Sequence, residues 1–415
     1  MVFTSGSTNS FLTIEDAEMT VWPRMTLSAG PVDVSAETLR AMQRQVLYHY
    51  DPVFIELFAH TSELLQKVFR TDYDVVIMQA EAILGLEAAV ASLVSPGDKV
   101  LNLVSGVFGK WMEDFIRKYG GEPVELSVPY NAAIDPEDVR RVLAAVPGIR
   151  FLTVVHSETP SGTVNPIREI GQIARDFGVI TIVDTVSGLG SELLSPEEWG
   201  MDVAVAGPQK CLSGTPGLSL ISVSPEAWQA METRPDPLRG SFLSILDWKS
   251  TWLEQRRFPY TPSVTEMYAL ESVLEQALRE GMPAYVDRHQ VAARAARLAV
   301  RAMGLSLWPE SEAISTACCT AVTTPEGTTA EAIIHTLRER YGVMIAGGYG
   351  ELSGKLFRLG HLGVSAHPTQ LLAQVALLER TLLDLGVSIP VGAGTAAAIE
   401  AFAHWNDATR SYSQG

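Results

Sequence analysis

Two side chains that could take part in covalent chemistry, Lys210 and Asp184, each follow a short apolar run that is predicted to be a buried strand. Lys210 comes after Val203–Ala206, in a turn rich in Gly and Pro, and Asp184 ends the run Val179–Val183. Parallel strands end at one edge of a sheet, where α/β proteins bind ligands. Desolvation at such an edge lowers the pKa of a lysine, and its neutral amine can then form a Schiff base.

Either residue alone has an ordinary explanation. Lys210 could be an exposed lysine of a turn, and Asp184 could cap a helix. Together they favour pyridoxal chemistry, because a carboxylate can keep the pyridine nitrogen protonated while a lysine captures the aldehyde, so that the ring withdraws electrons. The pair therefore predicts a vitamin B6 site.

Two more residues are candidates for that site. Phe108 follows the predicted strand Lys99–Leu103 and could stack on a planar ring, although aromatic residues between glycines usually belong to the core. Arg358 interrupts the apolar run Leu356–Leu359, and its planar guanidinium suits a substrate carboxylate, although an internal ion pair is the commoner role. No histidine or cysteine spacing predicts a metal site.

The elements that position these residues alternate between short apolar strands and amphipathic helices, which predicts an α/β domain with a mostly parallel sheet and a smaller C-terminal α+β domain. The predicted strands are 75–78, 99–103, 151–155, 179–183, 203–206 and 218–223, and the helices between them are 84–93, 109–119, 136–145 and 167–177. The predicted divisions are an N-terminal extension (1–25), a large domain (26–262), a connecting helix (263–300), a small domain (301–390) and a tail (391–415).

Composition excludes several classes of protein. The 415 residues carry a net charge of −17, which disfavours binding to nucleic acids or anionic membranes. Three cysteines, two of them adjacent, form no disulfide framework and predict a reducing cytoplasm. No apolar run has the roughly 20 residues of a membrane span, and the polar residues 1–25 do not resemble a signal peptide.

From about Leu27 to Leu385 the chain resembles the class V aminotransferases of the fold type I pyridoxal-phosphate superfamily. The resemblance lies in four segments: 26–32, 183–187, 207–210 and 356–360. Within the class it is strongest to the pyridoxamine–pyruvate aminotransferases, through segments 46–52, 128–131, 159–163 and 258–264. It implies an aminotransferase that acts on an α-amino acid and α-keto acid pair.

The resemblance also implies a role for each matching residue. Lys210 is the Schiff-base lysine and moves the substrate proton, and Arg358 binds the substrate carboxylate. The residues implied to bind the cofactor are Asp184 at the ring nitrogen, Phe108 on the ring face, Thr159 on the side of the ring hydroxyl, and Gln209 beside the lysine. Tyr260 and Thr261 are implied to reach the site of a partner subunit, so a homodimer or a dimer of dimers is expected.

The cofactor implied by the class is pyridoxal 5′-phosphate, but the segment expected to bind its phosphate departs from the class. Glu81 and Ala82 stand where ordinary members carry a Ser-Gly-His turn. A glutamate there opposes a phosphate dianion unless its side chain turns to solvent. The pyridoxamine–pyruvate enzymes resemble this chain at that point, so unphosphorylated pyridoxal or pyridoxamine is the alternative.

A second departure concerns the substrate. Tyr349 stands where the pyridoxamine–pyruvate enzymes have an arginine that helps to hold pyruvate. The change weakens the case for pyruvate and favours a bulkier substrate. The alternative function keeps the fold and the cofactor: β-elimination (a C–S lyase), decarboxylation or oxidative deamination of an S-substituted cysteine in secondary metabolism. A binding protein without catalysis is disfavoured because Lys210, Asp184 and Arg358 are all present.

Overall fold

A seven-stranded sheet forms the centre of the larger part of the molecule in a computed structural model that describes residues 24–403 and Trp405. The strands in chain order are β1 (Met25–Thr26), β2 (Asp74–Gln79), β3 (Lys99–Val104), β4 (Glu122–Ser127), β5 (Ile149–Val155), β6 (Ser157–Glu158), β7 (Thr163–Val164), β8 (Ile180–Asp184), β9 (Val203–Ala206), β10 (Leu218–Val223), β11 (Cys319–Thr323), β12 (Val343–Met344), β13 (Ala346–Gly347) and β14 (Leu356–Gly360). The sheet runs in the order β2-β10-β9-β8-β5-β3-β4, and only β10 is antiparallel to its neighbours.

Helices cover this sheet and build the rest of the molecule. They are α1 (Ala36–Met42), α2 (Pro52–Phe69), α3 (Ala82–Leu93), α4 (Val107–Lys118), α5 (Pro136–Ala145), α6 (Ile167–Asp176), α7 (Pro196–Trp199), α8 (Pro225–Glu232), α9 (Ile245–Trp248), α10 (Val264–Glu280), α11 (Met282–Ala302), α12 (Ala330–Tyr341), α13 (Pro368–Asp384) and α14 (Ala393–Ala403). Among the described residues, no helix is both long enough and apolar enough to cross a bilayer.

The α/β fold class and all six predicted strands of the sheet are confirmed, with shifts of one or two residues at their ends. The edge strand β4 was not predicted. Its residues are exposed or only partly buried, so Glu122–Ser127 has no apolar run to mark it as a strand. Segment 179–183 is shifted by one residue, so Asp184 is itself the last residue of β8.

The single connecting helix predicted for 263–300 is wrong. Gly281, with a φ of +86°, ends α10 and precedes α11, so two helices occupy this segment. Residues that carry a side chain rarely adopt that backbone conformation, which is why a glycine is found at the break. The predicted tail 391–415 also contains a helix, α14, which packs against α11 and α13. Residues 404 and 406–415 of the predicted tail lie outside the described part.

Two separate hydrophobic clusters correspond to the two parts of the molecule. The larger runs from Phe54 to Tyr285, and the smaller joins Leu27 to residues from Ala292 to Ala398. Helix α11 therefore begins in one cluster and ends in the other. Because β1 pairs with β12, residues 25 and 26 belong to the small part. The large domain, which was predicted to start at residue 26, therefore starts later. The predicted extension 1–25 lies almost wholly outside the described residues.

Candidate active site

Lys210 and Asp184 line one cavity of about 220 Å³ at the carboxyl edge of the sheet. They are brought together because β8 and β9 are parallel neighbours, with Asp184 beside Val205 and Lys210 in the turn that follows Ala206. Burial lowers the pKa of Lys210, and the nearby charge of Arg358 acts in the same direction. A lysine in this state is a better nucleophile than one in water.

The Asp184 carboxylate is buried and faces the same cavity. Its Oδ1 accepts a hydrogen bond from the Val186 amide at 2.9 Å. Burial raises the pKa of Asp184 to about 6, opposed by that hydrogen bond and by the charge of Lys210. A protonated ring nitrogen placed here would favour the ionised carboxylate, because an opposite charge compensates for lost hydration.

The loop after β1 lies directly on the lysine. The Ala29 carbonyl accepts a hydrogen bond from Lys210 Nζ at 3.2 Å. Gly30 has a φ of +98°, and a Cβ built on it would lie 2.4 Å from Lys210 Cδ and 2.7 Å from Nζ. The absence of a side chain at residue 30 therefore determines where the lysine can lie.

We expect Gly30→Ala to displace Lys210 and to slow its capture of pyridoxal on the order of a hundredfold, since misplacement by about 1 Å costs that much in other sites. The appearance of visible absorbance after pyridoxal is added measures the capture. Gly97→Ala is the matched control: Gly97 also has a positive φ, of +85°, but apart from its two chain neighbours no described residue has an atom within 4 Å of the position its Cβ would take. Equal effects of the two variants would refute the explanation.

Aromatic and aliphatic side chains form most of the cavity wall. Phe108, in the first turn of α4, lies 5.2 Å from Trp111 between ring centroids, and Trp111 lies 5.5 Å from Tyr349. The other apolar lining residues are Ile83, Leu86, Met112, Phe115 and Val186. The sequence analysis did not select Trp111, although its place three residues after Phe108 on a helix is a usable signal. The face of a flat aromatic ring fits such a wall.

Glu81 is the N-cap residue of α3 and lines the cavity. Its Oε2 accepts a hydrogen bond from the Ile83 amide at 2.9 Å, and its Oε1 accepts one from Gln209 Nε2 at 2.5 Å. Ala82 follows as a buried residue of the first turn. Of the two orientations left open by the sequence, the structure shows the carboxylate turned back onto its own helix and facing the cavity. The Glu81 carboxylate thus occupies the N-terminus of α3, which could otherwise bind an anion.

Arg358 and Tyr349 lie on neighbouring segments of the small part. Arg358, on β14, donates from Nε to the Gly347 carbonyl at 2.8 Å and from Nη1 to the Thr159 carbonyl at 3.1 Å. Burial lowers the pKa of Arg358. Tyr349, two residues after Gly347, is 48% exposed. Thr159 contacts Arg358 through its main chain, and neither Thr159 nor Arg358 nor Tyr349 is among the cavity-lining residues.

Tyr260 and Thr261 lie away from the cavity of their own chain. The Tyr260 hydroxyl accepts a hydrogen bond from Trp248 Nε1 at 3.1 Å, and its ring stacks on Phe242 at 4.4 Å. Thr261 is exposed. Neither residue is among those that line the cavity.

Comparisons with known proteins place the chain among aminotransferases. The profile of a family described as aminotransferase class-V matches residues 32–356. Pyridoxamine–pyruvate transaminase of Mesorhizobium japonicum is 44% identical over 377 residues, which are 91% of this chain and 96% of that protein. The crystal structure of pyridoxamine-pyruvate aminotransferase from Mesorhizobium loti superposes with a TM-score of 0.89 at 43% identity, covering 92% of this chain and 97% of that one. Ureidoglycine-glyoxylate aminotransferase from Bacillus subtilis superposes with a TM-score of 0.89 at 29% identity, covering 93% and 99%.

Proposed function

Because the chain belongs to the class-V aminotransferase family, we propose that the cavity beside Lys210 is its active site and binds a form of vitamin B6. The observation that carries this proposal is the placement of Lys210 and Asp184 in one cavity, walled by Phe108. When bound, the vitamin supplies a reactive carbonyl or amine and a ring that withdraws electrons. The enzyme transfers an amino group between an α-amino acid and an α-keto acid.

In this proposal four residues divide the tasks of the reaction. The Lys210 amine captures the carbonyl and then carries the proton that leaves the substrate Cα. Asp184 holds a proton on the ring nitrogen, and Phe108 packs on the ring face. Arg358 holds the substrate carboxylate, since Nη2 of its guanidinium has no acceptor among the hydrogen bonds of the described residues.

We further propose that the bound form lacks a phosphate. The position of Glu81 supports this, because its carboxylate caps α3 and faces the cavity. Gln209 adds to the argument, although it does not itself line the cavity: it donates to the Glu81 carboxylate, and its buried Oε1, which has no partner among the described residues, can accept a hydrogen bond from a hydroxyl but not from an ionised phosphate. Unphosphorylated pyridoxal and pyridoxamine offer such a hydroxyl.

The products of two incubations test the function. With pyridoxamine and pyruvate, the substrates named for the Mesorhizobium relative, an aminotransferase of this kind forms pyridoxal and alanine. With an S-alkyl cysteine, a lyase releases a thiol and a decarboxylase releases CO₂. Absence of amino transfer to pyruvate and to larger keto acids, with saturating pyridoxamine or pyridoxamine phosphate, would contradict the proposal.

Tyr349→Arg is expected to lower the KM for pyruvate about tenfold with a smaller effect on kcat. A second guanidinium beside Arg358 adds a charge-assisted hydrogen bond of about 1.5 kcal/mol to a carboxylate. Steady-state kinetics with a range of pyruvate concentrations measures the change. Tyr349→Phe is the control, because it keeps the ring that packs on Trp111 and adds no charge. An unchanged KM in the arginine variant would show that residue 349 does not face the substrate.

The same tyrosine gives a reason to retain a second candidate function. With Tyr349 in place of an arginine, a substrate is held by one guanidinium, so the bond between Cα and the carboxylate is less constrained. Decarboxylation of an S-substituted cysteine is then available on the same residues, and β-elimination, which begins at the Cα–H bond, is available there as well. Release of CO₂, or of thiol with equal amounts of pyruvate and ammonia, in the absence of any amino acceptor would favour this candidate.

We also propose that the enzyme is a homodimer in which Tyr260 and Thr261 of the partner subunit reach the cavity. Exposed apolar residues support this: Tyr48 is 67% exposed, and Ile83, at the cavity mouth, is 40% exposed. Surfaces of this kind are typical of subunit interfaces. Light scattering of the purified protein measures the mass, and a fully active monomer would contradict the proposal.

The three cysteines are free, which supports a reducing compartment such as the cytoplasm.

A further inference from the structure

We propose that Glu158 is a positioning residue of this active site. It fixes the first turn of α4, and with it Phe108, at a set position relative to the carboxylate-binding Arg358. The inference rests on the proposed function for the roles of Phe108 and Arg358, but the contacts that support it are independent of any ligand. Glu158 was not predicted as a site residue, because the segment around it is polar and has no periodic pattern.

The Glu158 carboxylate completes the start of α4. Its Oε1 accepts a hydrogen bond from the Gly109 amide at 2.6 Å, and its Oε2 accepts one from the Phe108 amide at 3.3 Å. The N-cap residue of this helix is Gly106, which has no side chain to accept these bonds. The first amides of a helix have no partner within the helix, so a side chain from elsewhere must supply one. Glu158 is that side chain for two of them.

The neighbouring glycines leave room for this carboxylate. A Cβ on Gly106 would lie 2.5 Å from Glu158 Cδ, and a Cβ on Gly109 would lie 3.3 Å from Oε1 and 2.9 Å from the Leu103 carbonyl. Both positions are therefore shaped around Glu158. The close fit indicates that the side chain holds one orientation and that Phe108, between the two glycines, is held with it.

The turn after Glu158 contacts the small part of the molecule. The Glu158 carbonyl accepts hydrogen bonds from the amides of Ser161 and Gly162, at 3.2 and 2.8 Å. These bonds present the Thr159 carbonyl to Arg358 Nη1 at 3.1 Å. One short turn thus fixes a wall of the cofactor cavity with its side chain and the substrate-binding arginine with its main chain.

The energetic cost of this arrangement argues that it serves the site. Glu158 is completely buried, and no described residue forms an ion pair with it. Burial raises the pKa of Glu158 to about 8, and the Asp184 charge acts in the same direction. An uncompensated acid in the interior destabilises a fold. Ser, Thr or Asn would cap a helix without that cost.

Hydrogen exchange of the protein free of vitamin B6 tests whether Glu158 holds the start of α4. In Glu158→Gln, which keeps one acceptor oxygen, and in Glu158→Ala, which keeps none, we expect the Phe108 and Gly109 amides to exchange faster, by on the order of tenfold and more in the alanine variant. Glu197→Gln is the matched control. Glu197 accepts hydrogen bonds from the Asp72 and Tyr73 amides, at 2.6 and 3.2 Å, and does not line the cavity.

Steady-state kinetics tests whether these contacts of Glu158 serve the reaction. Each Glu158 variant is expected to lower kcat and to raise the KM for the keto acid together, with partial recovery in Glu158→Gln, whereas Glu197→Gln leaves both constants unchanged. Unchanged exchange at Phe108 and Gly109 would overturn the inference even if no substrate is ever found. Faster exchange with unchanged kcat and KM would show that Glu158 only stabilises the helix, which also overturns it. Because exchange needs no cofactor, its outcome is separable from failure of the proposed function.

Discussion

Replacing Lys210 with alanine is expected to lower the rate of amino transfer by about a thousandfold or more, since one positioned acid–base group alone contributes a factor of 10²–10⁴. The variant loses both the nucleophile and the proton carrier of the proposed reaction. Keto-acid formation measures the rate. Visible absorbance after pyridoxal is added measures capture of the carbonyl and is expected to disappear.

The fold is expected to survive this change. Lys210 lies in a largely buried position where burial disfavours its charge, so the neutral alanine removes an unfavourable group. The unfolding temperature of Lys210→Ala should therefore equal or exceed that of the parent protein. Lys67→Ala, at an exposed position on α2, controls for loss of a lysine. Retained activity in Lys210→Ala would remove the assignment of this residue as the nucleophile.

Glu81→Ser is expected to tighten binding of pyridoxal 5′-phosphate relative to pyridoxal on the order of 30-fold. Two unit charges about 4 Å apart repel by about 4 kcal/mol at an effective dielectric constant of 20. Glu81 is only half-buried, so solvent screens part of this repulsion. About 2 kcal/mol would remain, which corresponds to the stated factor. The serine still caps α3 and adds a donor for phosphate.

Dissociation constants of both ligands, measured by fluorescence or calorimetry, give the ratio that tests this prediction. Glu81→Gln removes the charge alone and should move the ratio in the same direction. Asp135→Asn is the control for weakening a helix cap, because Asp135 caps α5 through the Glu137 amide at 2.9 Å and does not line the cavity. If Glu81→Ser leaves the ratio of the two constants unchanged, a phosphate does not meet this carboxylate.

The predictable part of the site consists of residues that end buried strands. Asp184 and Lys210 follow runs of apolar β-branched residues, and parallel strands bring such ends to one edge, so their proximity follows from pattern alone. Phe108 and Arg358 were predicted from similar positions beside or within strands; Phe108 lines the cavity, whereas Arg358 lies outside its lining. The fold was predictable for the same reason, because buried strands and amphipathic helices leave strong periodic signals.

Other features depend on contacts between distant residues. Whether Glu81 faces solvent or the cavity depends on Gln209, which is 128 residues away and holds its carboxylate. Glu158 caps a helix that begins about 50 residues earlier, and no local pattern reports that contact. Both contacts require the three-dimensional structure. The break at Gly281 is different, because Pro283 in the first turn of α11 is a local signal that a new helix begins there.

The segment that covers the lysine is attached to the opposite half of the molecule. Met25 pairs with Val343, the Leu27 amide donates to the Met344 carbonyl at 2.8 Å, and a few residues later Gly30 lies on Lys210. Any rotation of the C-terminal half about α11 must therefore pull on this short tether. A shift of the small part would also shift the peptide that lies against Lys210, so the position of this amine depends on contacts made by the opposite half of the molecule.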